Sequence, residues 1–291
     1  MTYSLNDKVV LITGAAGGIG AATARALFEQ GARLVLTDLR QADVDALAAE
    51  FDAARVLALA LDVTDMRASR QAVADAVRRF GRLDVVFANA GIAWDPPKTV
   101  LTVDDAEFEK IVEVDLLGVW RTVKAALPEI VKNRGQVLTT SSIYAFMNGT
   151  INAPYAMSKA GVESFTRALR TELAGSGASA SVLYPGWVKT PMTELAFGGN
   201  ATVTRFLEAL LPKPLRTLVA PETIASDVVK GLKERAPRII SPSRWAAASL
   251  LRGVVISAFD RKLDTDETVR EVVRQIEQDS RQSRGNKRKA A

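Results

Sequence analysis

Apolar residues in this chain come in short unbroken runs, separated by longer stretches where they recur every three or four positions. The runs are KVVLI (8–12), RLVLT (33–37), RVLALAL (55–61), LDVVFA (83–88), GQVLTT (135–140) and SASVLY (179–184). Most lack polar alternation, as strands do when both faces of a parallel sheet are covered. Helical spacing fills 18–30, 41–51, 66–80, 104–132 and 153–174. Such alternation predicts βαβ units and an α/β fold built on a doubly wound parallel sheet. The sequence TVDD at 102–105 offers capping residues for the fourth helix, and Pro128 is expected to kink or end it.

The pattern changes after Pro191. Residues 192–220 mix small, apolar, Pro and Gly residues, which suits a mobile lid over a pocket better than a sheet element. A helix near 221–235 and a short strand at 238–241 follow. An apolar segment at 245–259 is interrupted by Arg252 and Gly253, and an acidic-rich helix near 264–280 leads into a basic tail. The expected organisation is one domain over 1–243, with its lid at 192–220, and a helical extension with the tail over 244–291.

At 291 residues, 48% hydrophobic and 24% charged, the chain can bury a large core. The formal charge of +5 belongs to the tail, where Arg281, Arg284, Lys287, Arg288 and Lys289 stand without an acid. The body is balanced, so nucleic acid is not an expected partner. There is no cysteine and no histidine. That removes Ser-His-Asp and Cys-His nucleophiles and any metal site built on imidazole or thiolate, and no metal is expected. Absence of disulfides, of a signal-like start and of a membrane-length apolar run leads to the expectation of a cytoplasmic protein.

The chemistry begins at TGAAGGIG, residues 13–20, which directly follows a strand and precedes a helix. Glycines let the backbone turn tightly and approach a pyrophosphate, while the helix start supplies amide donors. Gly14, Gly18 and Gly20 fit one spacing of a dinucleotide loop, and Gly14, Gly17 and Gly20 fit another; Ile19 lies among them. The context is that of a Rossmann cofactor site. Asp38 ends the second strand 18 residues beyond Gly20, where a carboxylate accepts from ribose hydroxyls and repels a 2′-phosphate. NAD is therefore expected over NADP, with Arg40 as the one nearby cation that could reverse the preference. Asp62 and Val63 close the third strand, and Asn89 and Gly91 follow the fourth, on the edge where such sheets bind ligands. For Asp62 a helix cap, and for Gly91 a simple turn, are equal alternatives.

Tyr155 and Lys159 stand at i and i+4 on one helix face, thirteen residues beyond Ser142. An ammonium beside a phenol favours the phenolate and lowers a pKa that is ordinarily about 10. Ser141 precedes Ser142 and faces the other way along a strand.

Together TGAAGGIG, Asp62, ANAG at 88–91, Ser142, YAMSK at 155–159 and PG at 185–186 with Val188 and Thr190 resemble the short-chain dehydrogenase/reductase family, in its short single-domain branch. The resemblance runs from about residue 8 to 192. It implies that Tyr155 is the acid–base and that Lys159 lowers its pKa and binds the nicotinamide ribose. It further implies that Ser142 binds the substrate oxygen and that Val188 and Thr190 border the carboxamide. One departure stands at Asp115, where the family has an asparagine that helps hold a water linking the lysine to solvent. A carboxylate there would raise the pKa of Lys159 and alter the pH profile.

The expected activity is hydride transfer between nicotinamide and a small secondary alcohol or ketone. The lid's Leu195, Phe197, Phe206, Leu207, Leu210 and Leu211, with Trp94 and Tyr144, point to a lipophilic substrate, or else pack the lid onto the body. A non-catalytic nucleotide-binding regulator on the same fold is the alternative. Apolar positions on the fourth and fifth helices (Phe108, Ile111, Val112, Val119, Val162, Phe165, Leu169) suggest a homodimer or homotetramer. The 245–259 segment packs on the domain or a subunit, or lies as a peripheral helix on a membrane, aided by Arg244, Arg252, Arg261 and Lys262.

Overall fold

The computed structural model describes residues 2–93, 96–194 and 199–290. Seven strands form one parallel sheet: β1 (Val9–Thr13), β2 (Arg33–Asp38), β3 (Val56–Ala60), β4 (Val85–Ala88), β5 (Gln136–Thr140), β6 (Ser179–Pro185) and β7 (Arg238–Ser241). Their order is β3-β2-β1-β4-β5-β6-β7, so the chain runs outward from β1 in one direction and then returns to start the other half at β4. That reversal opens a crevice beyond the carboxyl ends of β1 and β4, the place where doubly wound sheets bind ligands.

The unbroken apolar runs have a direct cause. Neighbouring side chains on a strand point to opposite faces. Val10 and Ile12 of β1 enter one apolar cluster, with Leu34, Leu36 and Phe87. Val9 and Leu11 enter the other, with Val35 and Val86. Both faces are covered by helices: α1 (Gly18–Glu29), α2 (Gln41–Ala48), α3 (Met66–Phe80), α4 (Asp105–Val112), α5 (Val119–Lys132) and α6 (Ala153–Glu172).

The expected single helix at 104–132 is two α-helices joined by a π-helical turn at Glu113–Gly118. Pro128 does not end it; α5 continues to Lys132. The π turn brings Gly118 so close to β3's exit that a methyl group on it would meet Val63 Cγ2 at 2.7 Å. It also sets Asp115 inward, fully buried. Single π turns inside helices are often found at functional sites.

The lid region is helical. After α7 (Pro191–Glu194) come α8 (Ala201–Leu210) and α9 (Lys213–Arg216). Asn200 starts α8, its side-chain oxygen accepting from the amides of Thr202 and Val203 at 3.0 and 3.2 Å. α10 (Pro221–Glu234) returns the chain to β7 and packs on α1. Beyond β7 lie α11 (Ala246–Leu250), α12 (Arg252–Thr265) and α13 (Glu267–Ala290). Trp94, Leu195 and Phe197 lie outside the described residues.

One expectation changes here. The 245–259 segment is not one surface helix: it breaks at Leu251, Trp245 is buried, and Ile256 and Phe259 pack on the core. Arg252 is held by the buried Glu163 at 2.8 Å. Leu250, Leu251 and Val254 are exposed large apolar residues of this corner. Among the described residues no helix is long and apolar enough to cross a membrane. Of the apolar positions expected to support a homo-oligomer, Ile111, Val119, Val162 and Leu169 are buried in the chain's own core, while Phe108, Val112 and Phe165 are half-buried. On the same helices Trp120, Val131 and Met157 are exposed large apolar side chains.

Candidate active site

A cavity of about 430 Å³ runs from the glycine loop to α8, across the carboxyl ends of β1, β4, β5 and β6. At one end Gly14 has φ +63°, a left-handed conformation suited to glycine. The chain then folds back so tightly that a methyl on Gly20 would lie 2.1 Å from the Gly14 carbonyl oxygen. Gly17 begins the turn into α1, and Gly18 abuts Thr190 on the far wall, where a methyl would meet Thr190 Cγ2 at 2.6 Å. The loop thus presents bare backbone at a helix start, which suits a pyrophosphate.

Asp38 faces the same cavity. Its carboxylate accepts from the amides of Ala16 at 3.1 Å and Leu39 at 2.8 Å, so it fixes the glycine loop as well as the end of β2. Arg40 does not line the cavity; its guanidinium pairs with Asp43 at 2.7 Å, with the side chain 77% exposed. Asn89 lines the cavity but spends its amide on the sheet. Its Nδ2 donates to the carbonyls of Thr13 and Gly14 at 3.2 Å each, and its Oδ1 accepts from Thr140 at 3.0 Å.

Asp62 and Val63 are not brought into the cavity. The exposed Asp62 accepts from the Thr64 amide at 2.9 Å and its hydroxyl at 2.7 Å, closing a local turn, while Asp65 is the residue that caps α3. Val63 is buried under Gly118.

In the middle of the cavity stand Ser142, Tyr155 and Lys159. α6 carries the last two one turn apart, with the Lys159 ammonium 5.1 Å from the centre of the Tyr155 ring. Ser142 leaves β5 in an extended conformation beside the Tyr155 phenol, and its Oγ accepts from the Tyr144 amide at 3.2 Å. Ser141 points the other way and donates to the Lys159 carbonyl at 2.7 Å, pinning α6 to the sheet. Tyr144 packs edge-on against Tyr155, with ring centres 5.7 Å apart.

Lys159 is buried with its Nζ 3.0 Å from Asp115 Oδ2 and 3.4 Å from the Thr140 carbonyl oxygen. Asp115 Oδ1 accepts from the Ile92 amide at 2.8 Å. Gly91 lies against both charges: a methyl there would be 3.2 Å from each. The carboxylate is thus directly paired with the lysine. Burial pushes the Asp115 carboxyl up against the pull of Lys159. Burial alone would lower Lys159, but Asp115 and Tyr155 raise it above the ordinary lysine value.

The lowering of Tyr155 by Lys159 is outweighed. Burial pushes the phenol above its ordinary value; Lys159 pulls it down, Asp115 pushes it up, and the Ser142 hydroxyl pulls it down.

The other end of the cavity is apolar. Ile143, Tyr144, Ile151 and Trp187 form one wall, and Val203, Phe206 and Leu207 of α8 form the other. Val188 and Thr190 lie between this end and the glycine loop. Sequence reasoning missed Ile151, Asn152 and Trp187. Trp187 directly follows Pro185-Gly186 and could have been noted, whereas Asn152, beside Tyr144, gave no local signal.

The family profile described as short chain dehydrogenase matches residues 8–199. The chain belongs to the short-chain dehydrogenase/reductase family, a family of oxidoreductases. Among its relatives is cis-4-hydroxycyclohexanecarboxylate dehydrogenase of Sinomonas cyclohexanicum, 36% identical over 78% of this chain and 90% of the relative. The L-fucose dehydrogenase of Bos taurus is 33% identical over 76% and 82%. A solved 3-ketoacyl-(acyl-carrier-protein) reductase from Brucella melitensis, complexed with NADH, superposes with a TM-score of 0.73 at 28% identity, covering 82% of this chain and 98% of that one.

Proposed function

We propose that this chain is an NAD-dependent oxidoreductase that interconverts an uncharged, lipophilic secondary alcohol and its ketone, with Tyr155 exchanging the proton. The observation that carries this reading is the Ser142–Tyr155–Lys159 cluster midway along one cavity, between a glycine cradle and an apolar pocket. The residues fit a dinucleotide: Gly14, Gly17, Gly18, Ile19 and Gly20 would hold the pyrophosphate, and Asp38 the adenosine ribose. Gly91, Val188, Thr190 and Lys159 would border the nicotinamide end. When bound, the nicotinamide supplies or takes up the hydride.

The chain's own residues handle the proton and the oxygen. A phenolate at Tyr155 accepts the hydroxyl proton as an alcohol is oxidised, and the phenol returns it when a ketone is reduced. Ser142 donates to the substrate oxygen while charge develops on it. Lys159 favours the phenolate through its charge, and Asp115 keeps Lys159 protonated and in place.

Preference for NAD is supported by the Asp38 carboxylate at the ribose position and by the attachment of Arg40 to Asp43. An uncharged substrate is supported by the lining. Among the described residues its only cation is Lys159, already paired with Asp115, and its only acid is Asp38 at the far end. A relative named for a hydroxycyclohexanecarboxylate supports an alcohol on a compact ring, though not that substrate's negative charge, for which the described lining has no free cation.

The test is a panel of cyclic and branched alcohols and ketones assayed with both nicotinamides. Turnover with NAD and loss of it in Tyr155→Phe is the expected result. NADH binding without turnover across the panel would instead favour a nucleotide-binding regulator.

A further inference from the structure

We propose that α13 is a positioning element for substrate: it braces the lid helix α8 and so fixes the wall of the apolar pocket, without touching the dinucleotide half of the cavity. The inference rests on the substrate reading given above.

α8 has two jobs in one apolar face. Val203, Phe206 and Leu207 line the pocket, and the same residues belong to the apolar cluster that contains Val269, Val272 and Ile276 of α13. Val272 is wholly buried, and Val269 and Ile276 nearly so. α8 and α13 pack directly against each other, and Arg205 pairs with Glu271 at 2.8 Å on the outer edge of the seam.

The extension also reaches the other two sides of the pocket mouth. Glu277 of α13 accepts from the Thr99 hydroxyl at 3.2 Å, in the loop that follows β4. Asp260 of α12 accepts from the Asn148 amide at 3.0 Å, in the loop between β5 and α6. The lid and the two loops that border the substrate end are therefore tied to one carboxyl-terminal unit. None of these ties involves the glycine loop, Asp38, Tyr155 or Lys159. Helices of four and ten residues, as α7 and α8 are, would have little stability alone. The order of α8 is contributed by tertiary packing, and α13 supplies much of that packing.

This separation sets the experiment. In full-length protein, Val272→Ala/Ile276→Ala loosens the seam while leaving every lining residue in place. The chain has no cysteine, so Ala201→Cys, exposed at the start of α8, accepts a single spin label that reports lid motion. Expected for the double variant are a KM for the alcohol raised by about tenfold, an NADH dissociation constant within about twofold of wild type, and a more mobile label. An immobile label, an unchanged KM, or NADH binding weakened as much as KM would overturn the proposal. Should the double variant fail to fold by circular dichroism, Glu271→Lys sets like charges across the seam and gives the same readouts. If wild type turns over no alcohol or ketone, the proposed activity fails; the label and NADH binding still decide whether α13 braces the lid.

Discussion

The Asp115 carboxylate lies 3.0 Å from the Lys159 ammonium, and neither side chain reaches solvent to any useful extent. Besides Asp115 on the π turn, Lys159 faces the Tyr155 phenol on its own helix and the Thr140 carbonyl on β5. A buried charge without a partner is costly, so the pair stabilises the lysine's charged form where an amide could not. The same carboxylate pushes the Tyr155 phenol up. Replacing it by an amide removes a charge that disfavours both the neutral lysine and the phenolate. Alcohol oxidation needs the phenolate, so its rate rises with pH through the phenol's pKa. In Asp115→Asn that pKa falls and the rising limb of kcat/KM moves to lower pH. Lys159→Met removes the opposing positive charge and moves it the other way. Profiles of the three proteins over pH 6 to about 11 check both signs; a limb at the same pH in wild type and Asp115→Asn would refute the role.

Tyr155→Phe removes one oxygen from a ring that stays packed edge-on against Tyr144. If the phenol exchanges the proton, kcat falls by about 10² to 10⁴. NADH affinity, measured by fluorescence quenching, stays close to wild type, because the glycine cradle is untouched. A fall in affinity as large as the fall in rate would mark the phenol as a cofactor ligand instead.

What the sequence reveals depends on the range of the interaction. β1 is legible because both its faces are covered, which leaves VVLI unbroken before Thr13 at the strand's exit. Tyr155 and Lys159 are legible because a helix brings i and i+4 together by local geometry. Asp115 is visible as a departure, but its π turn is not: Glu113–Gly118 keeps apolar residues at ordinary helical spacing, and the extra residue appears only in the backbone. The partners of the lid are not legible either. Val203 and Val272 lie 69 positions apart, and no local period records that one covers the other. Likewise, an apolar stretch at 245–259 has the same composition whether Trp245 is buried beside Gly186 or lies on a membrane.

Asp38 offers a test of cofactor choice. The carboxylate accepts from two backbone amides, so deleting it would loosen the loop as well as change its charge. Asp38→Asn keeps a side-chain oxygen that can accept and removes only the charge. Its NADP affinity is expected to rise and its NAD affinity to fall, by about tenfold or less each, since a single charge contact is involved. Titration of the variant with both reduced cofactors measures the ratio. A ratio equal to wild type would mean that the repulsion of a 2′-phosphate arises elsewhere.

The glycine loop fits two spacings in sequence, and its packing separates them. A methyl at Gly17 would meet nothing closer than the Gly14 carbonyl oxygen at 3.5 Å, an ordinary contact. At Gly20 it would lie 2.1 Å from the same oxygen and 2.9 Å from Ala15 Cα, so the turn itself must shift. Gly17 opens α1 with φ −75° and ψ 161°, angles open to alanine. Thermal melts of the cofactor-free protein should therefore place Gly17→Ala within about 1 kcal/mol of wild type, the size of a changed helix cap. Gly20→Ala should lose about 1–3 kcal/mol, as overpacking does, and its NADH affinity should fall with it. Equal melting of the two variants would mean that the turn yields at no cost, and that the close approach of Gly20 to Gly14 does not hold the loop in its binding shape.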